Sequence, residues 1–240
     1  MNLPPPLALR ASHAAFRIGE TPILADLDFD LRQGEWTFLI APPGAGKTTL
    51  LRLVAGEIAP TSGKIERAGA AALVLHDTRL DDTKSARTIV AEAMIAEPDA
   101  ANRADALLCD LGLDAYLNHE PFRLSRGHYK RLAIARALAA RPALLCLDDP
   151  FSPMDRRARL LTANALARAA DESGLAILMA SNDPFDALRY GDRIVALTPA
   201  PDAQVEFIEE REPTPDATEE QLTKTPLFDR LQAVLWGDSR

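Results

Sequence analysis

Eight residues, Ala41-Pro42-Pro43-Gly44-Ala45-Gly46-Lys47-Thr48, restrict what this chain can fold into more than any other stretch. The nearly continuous apolar run Trp36 to Ile40 precedes them, as expected of a buried strand. Beyond them, Leu50, Leu51, Leu53 and Val54 fall at helical spacing over Thr48 to Glu57, with Gly56 as a stop. The segment matches G-x-x-x-x-G-K-[ST] at every position but the first. Strand, Gly-rich turn and helix in that order make a phosphate cradle. Gly44 and Gly46 let the backbone curl with its N–H groups pointing inward, and the helix N-terminus adds the positive end of its dipole. In such a loop the lysine, Lys47, reaches the β- and γ-phosphates, and the Thr48 hydroxyl ligates Mg²⁺. The expected ATP-binding set is Ala41, Pro42, Pro43, Gly44, Ala45, Gly46, Lys47, Thr48 and Thr49. Two positions depart from the pattern. Ala41 replaces the first Gly, so that turn must avoid positive φ or carry strain. Pro43 has no N–H and contributes no phosphate donor.

The chain has 240 residues, 47% of them hydrophobic, which allows one large α/β domain, or one domain plus a tail, and excludes wholesale disorder. A net charge of -8 argues against a phosphate-backbone binder, so no nucleic-acid partner is expected. Cys109 and Cys146 adjoin or lie within apolar runs and read as small buried hydrophobes in a reducing compartment. Met1 to Leu9 is Pro-rich and lacks the basic start and apolar core of a secretory signal. No apolar run approaches the roughly 20 residues that span a bilayer. The expectation is a cytosolic or peripheral chain that does not cross a membrane by itself.

Along the chain, residues 1–10 read as a loose lead-in and 11–40 as short strands, with Leu27, Phe29 and Leu31 alternating with polar positions. Residues 85–118 are Ala/Leu-rich at helical spacing, and Ser125 to Ala140 reads as a further helix. Leu144–Leu147, Leu175–Ala180 and Arg193–Leu197 read as strands, and Arg156 to Glu172 as a helix ended by Gly174. Prolines and acids over Pro199 to Gln221 suggest a linker or irregular extension. Leu227, Leu231, Val234 and Leu235 then share one face of a C-terminal amphipathic helix, which either docks back on the domain or binds a partner.

Two further elements carry chemistry. Leu144-Leu145-Cys146-Leu147-Asp148-Asp149-Pro150 is an apolar strand ending in acids, the usual source of a second Mg²⁺ support, here Asp148, directly or through water. Leu124-Ser125-Arg126-Gly127-His128 alone reads as a helix N-cap at Ser125. It is followed by Tyr129-Lys130 and by Arg131-Leu132-Ala133-Ile134-Ala135-Arg136-Ala137-Leu138. Together these segments resemble the signature L-S-G-G-Q and its continuation Q-R-[VL]-A-[IL]-A-R-A-L in the ATP-binding subunits of ABC transporters. The resemblance covers roughly residues 11–198.

That resemblance implies an α/β fold: a P-loop NTPase core with an N-terminal antiparallel β portion and an inserted α-helical subdomain over about residues 78–138. The ATP-binding domain would span 11–198, and 199–240 would be an acidic, Pro-rich extension. Ser152-Pro153-Met154-Asp155 looks like the family's D-loop, with Asp155 as its acid. Pro121 to Leu124, Asp149-Pro150-Phe151, Asp183 to Ala187 and Asp192 to Pro201 look like importers of nitrate, sulfonate and taurine type. The family dimerises head to tail, each ATP lying between the P-loop of one chain and the signature of the other. For this chain that implies a homo- or heterodimer at the cytoplasmic face of the inner membrane, with transmembrane permease subunits and a solute-binding protein as partners. ATP and Mg²⁺ are the implied cofactors.

The catalytic positions depart from the family as a set. The acid after the Mg²⁺-binding Asp, normally Glu, is Asp149, shorter by one methylene. The γ-phosphate-contacting His corresponds to Asn182, which donates a hydrogen bond but cannot become cationic. The Gln that reaches Mg²⁺ and the water corresponds to His76, although Mg²⁺ prefers oxygen ligands. The adenine-stacking aromatic corresponds to Ile18. Arg126 and His128 replace Gly and Gln in the signature, and Arg126 either fills the approach to the partner's γ-phosphate or pairs with it. Two readings stay open: an importer ATPase subunit, its hydrolysis normal or slowed, and an ATP-binding regulatory or assembly module with little or none.

Overall fold

The computed structural model describes residues 5–94 and 98–237. β1 (Leu7–Ile18), β2 (Thr21–Arg32) and β4 (Ser62–Arg67) form an antiparallel sheet in the order β2-β1-β4. A second sheet has the order β5-β6-β7-β3-β8-β9: β5 (Ala71–Val74), β6 (Leu144–Asp148), β7 (Ala176–Ser181), β3 (Trp36–Ile40), β8 (Arg193–Leu197) and β9 (Val205–Glu210). The first five run parallel and β9 closes the edge antiparallel to β8. This is the α/β architecture expected, with its separate antiparallel portion.

The apolar runs of β3, β6, β7 and β8 are buried on both faces, as a parallel sheet covered on each side requires. The period-two alternation sends Phe38, Leu145, Ile177 and Ile194 to one core and Leu39, Cys146, Leu178 and Val195 to the other. The second core is closed by α1 (Lys47–Ala55) and by Leu27, Phe29 and Leu31 of β2. The first is closed by α2 (Ala86–Ala93), α3 (Ala100–Asp110), α4 (Arg126–Ala139), α5 (Arg156–Ser173), α6 (Pro184–Tyr190) and α8 (Pro226–Trp236), with the short α7 (Glu219–Leu222) beside them.

Two arginines lock the antiparallel sheet onto the core. Arg67 of β4 donates to Val54 O (2.6 Å) and Leu53 O (2.8 Å), satisfying carbonyls at the C-terminus of α1. Arg193 of β8 donates to Asp30 O at 3.0 Å and to Asp30 Oδ1 at 2.5 Å.

Several expectations are corrected. β1 begins at Leu7, inside the stretch read as a lead-in. The strands over 11–40 include two of 12 residues, because β1 and β2 pair along their length. Cys109 is exposed on α3, while Cys146 is buried; both are free. The stretch 199–221 holds the edge strand β9. Arg211, one residue past β9, donates to Leu188 O (2.6 Å), Gly191 O (3.0 Å) and Ala187 O (3.4 Å) at the end of α6. α8 does dock back: Phe228, Leu231, Val234 and Leu235 are buried, and Phe228 lies 5.1 Å ring to ring from Phe185. Phe228 takes the buried place expected of Leu227, which is only half-buried. No helix among the described residues is long and apolar enough to cross a membrane.

Candidate nucleotide site

Because β5, β6, β7 and β3 are adjacent and parallel, the segments leaving their C-terminal ends meet at one edge of the sheet, where α/β folds place ligands. The loop 41–46 leaves β3, Asp148 ends β6, Asn182 follows β7, and His76 follows β5 by two residues. These segments open on a cavity of about 960 Å³, lined by Gly44, Lys47, Thr48, His76, Asp148, Asp149 and Asn182 among others.

The loop holds its shape without strain at its first residue. Ala41 is fully buried and is not among the described residues with positive φ. Gly46, at φ 87°, caps the N-terminus of α1, a conformation that favours glycine, and a Cβ there would press within 3.0 Å of Ile23 Cγ2. The Lys47 ammonium folds back to donate to Ala41 O (2.6 Å) and Pro42 O (3.2 Å). Burial lowers its pKa, opposed by Asp148 and Asp149. The Thr48 hydroxyl donates to Asp148 Oδ2 at 2.7 Å. A hydroxyl and a carboxylate converging beside a phosphate loop form an all-oxygen donor pair, which fits a hard divalent cation such as Mg²⁺.

Asp149 sits in the left-handed region at φ 42°, its N–H donating to Ala180 O (2.9 Å). Burial raises its carboxyl pKa, Asp148 adds to this, and Lys130, Lys47 and a Ser152 hydrogen bond oppose it. Asn182 and His76 are exposed at the cavity wall. Lys130 was not among the residues singled out by sequence, yet it is buried and lines the same cavity, as do Ser152 and Tyr129. The signal available for it was its helical phase: Lys130 lies three and four residues before the buried Ala133 and Ile134.

The other expected residues are placed less centrally. Thr49 is half-buried in the first turn of α1 and does not line the cavity. Ile18 is 63% exposed at the end of β1, also outside the lining. The β1–β2 hairpin instead approaches the loop through Ile23 and Leu24, which lie against Gly46. Of the five signature positions, Leu124 and Arg126 reach the cavity rim. Ser125 caps α4, accepting from His128 N (3.2 Å), and its hydroxyl lies 2.8 Å from His128 Nδ1. The His128 ring packs on Tyr116 at 4.3 Å, and burial lowers its pKa. Gly127 is approached so closely by the chain at 153 that an added Cβ would lie 2.8 Å from Pro153 O. Asp155 caps α5 by accepting from Ala158 N at 2.8 Å.

Comparison with known proteins places this arrangement. A family model described as ABC transporter matches residues 24–152. The chain is 33% identical over 195 residues to the aliphatic sulfonates import ATP-binding protein SsuB 1 of Nocardia farcinica, covering 80% of this chain and 78% of that protein. It is 34% identical over 196 residues to its counterpart in Ralstonia nicotianae (79% and 69% covered). It is 31% identical over 192 residues to the Fe(3+) ions import ATP-binding protein FbpC 2 of Pectobacterium atrosepticum (73% and 56% covered). Among solved structures, a dimeric ATP-binding cassette in a post-hydrolysis state bound to ADP and Pi superposes with TM-score 0.76 at 24% identity, covering 85% of this chain and 99% of that one. An ATP-binding subunit of an ABC transporter superposes with TM-score 0.78 at 21% identity, covering 94% and 99%. At these identities the structural matches speak for the fold.

Proposed function

The chain belongs to the ABC transporter family, and from that premise we propose that it is the ATP-binding subunit of an importer, coupling ATP binding and hydrolysis to transport through a partner permease. The observation that carries this reading is the meeting of Lys47, Thr48 and Asp148 at the mouth of one cavity, with Thr48 Oγ1 and Asp148 Oδ2 2.7 Å apart. In this reading the loop N–H groups and the N-terminus of α1 bind the phosphates, and Lys47 leaves its carbonyl partners to reach them. Thr48 and Asp148 would hold Mg²⁺, which when bound neutralises developing phosphate charge. Asp149 polarises the attacking water and Asn182 donates a hydrogen bond to the γ-phosphate. Arg126, at the rim of this chain's own cavity, would turn outward in the head-to-tail dimer to face the nucleotide of a second subunit, the partner being either an identical chain or a related one.

The relatives' names support import, and an ATP-binding subunit of an importer would sit peripherally on the cytoplasmic face of the membrane. They span sulfonates and ferric ions, so the solute is chosen by the permease and by a solute-binding protein. Asp149 and Asn182 make hydrolysis slow in this proposal without abolishing it. The test is steady-state MgATP turnover by the chain reconstituted with its permease, beside a Lys47→Ala control. Turnover above the control supports the transport motor. Turnover equal to the control, with ATP still bound by the wild type, would replace it with an ATP-binding assembly module.

A further inference from the structure

Building on that reading of the cavity, we infer that Lys130 is a charge-balancing and positioning residue of the nucleotide site, one that sets how strongly ATP binding depends on Mg²⁺. Lys130, in the first half of α4, is only 7% exposed. Its helical phase turns it with Ala133 and Ile134 into the gap between the sheet and α4. Its ammonium donates to Leu75 O and Asp148 O, each at 3.1 Å. One side chain therefore joins the segment leaving β5, which carries His76, to the end of β6, which carries Asp148 and Asp149.

A buried ammonium is costly unless opposite charge faces it. Burial lowers the Lys130 pKa, and the charges of Asp148, Asp149 and Asp77 oppose that fall. Lys47 lines the same cavity and shares Asp148 and Asp149 as charged neighbours, so the site holds two ammonium groups against three carboxylates. A positive charge at this place acts with opposite sign on the two incoming groups. It attracts the polyphosphate and repels the divalent cation. Neutralising it weakens ATP binding without metal and strengthens the contribution of Mg²⁺, so both changes raise the ratio of the metal-free to the Mg²⁺-bound dissociation constant.

The experiment is calorimetric titration of the full-length chain with ATP, in EDTA and in excess Mg²⁺. Lys130→Gln keeps a donor for the two carbonyls and removes the charge; the ratio should rise roughly tenfold. Lys130→Arg keeps the charge and should stay within about threefold of wild type. Asp77→Asn, at an exposed position that does not threaten folding, removes an opposing charge and should lower the ratio by about twofold to threefold. An unchanged ratio in folded Lys130→Gln, or in Asp77→Asn should Lys130→Gln fail to fold, would overturn the inference and leave Lys130 a structural strut. Lys130→Arg behaving like Lys130→Gln would overturn it too. A wild-type chain that binds no ATP would overturn the functional reading itself, an outcome distinct from these.

Discussion

Replacing Asp149 with Glu tests whether carboxylate reach limits this site. The added methylene carries the carboxylate about 1.5 Å further. A misplacement of about 1 Å at a reacting centre can cost on the order of 100-fold in rate, so Asp149→Glu should raise turnover by roughly 10- to 100-fold. The same change has a cost in stability. Asp149 holds φ 42°, fixed by its N–H on Ala180 O at 2.9 Å. Asp enters the left-handed region several-fold more readily than most residues, which corresponds to about 1 kcal/mol against Glu. For a chain of this size that lowers Tm by about 2–4 °C. The assay pairs phosphate release by the reconstituted complex with calorimetric unfolding of the isolated chain. Unchanged turnover in a variant whose Tm falls as expected would refute the reach argument.

Three further outcomes follow from the packing. The Asp186 side chain is 3% exposed, 2.7 Å from Arg159, and burial and then Asp183 push its carboxyl up to about 7. Its folded-state pKa lies above the unfolded value, so its stabilising contribution is complete below about pH 3.9 and is lost as pH rises to about 7. The full span is at most about 4 kcal/mol; the stability difference between wild type and Asp186→Asn, followed by denaturant titration from pH 4 to 8, should drift across that window and then level off, and a flat difference would remove the effect. Arg211→Ala removes the guanidinium donor at the end of α6, leaving the Thr214 hydroxyl on Leu188 O (3.0 Å) as the side-chain donor there, and should cost about 1–3 kcal/mol in urea unfolding. Leu231→Ala, at a fully buried position of α8, should cost about 2–5 kcal/mol while leaving ATP affinity in place, since α8 does not line the nucleotide cavity.

What could be read from the chain itself was what local chemistry specifies. β3, the glycine loop and α1 were legible because an apolar run, two glycines and a helical repeat each point the same way. β4 was not, because Ser62–Arg67 is mostly exposed and is held by pairing with β1, a contact no local pattern announces. β9 was hidden by the prolines and acids around it, although Val205–Glu210 needs only the free edge of β8 to form. At the site, Lys47, Thr48 and Asp148 were found because their spacing is a motif. Lys130 was passed over because Tyr129-Lys130 was read only as the lead into Arg131 to Leu138, and its role comes from segments 55 and 18 residues distant.

The central claim is that ATP binds where the loop after β3 meets the end of β6, and amide hydrogen exchange with and without MgATP tests it most directly. The account predicts protection over residues 41–50 and 148–150, and its loss in Lys47→Ala. Protection confined elsewhere, for instance to the separate cavity of about 610 Å³ beside α7 that Leu188, Arg211 and Leu222 line, would contradict it.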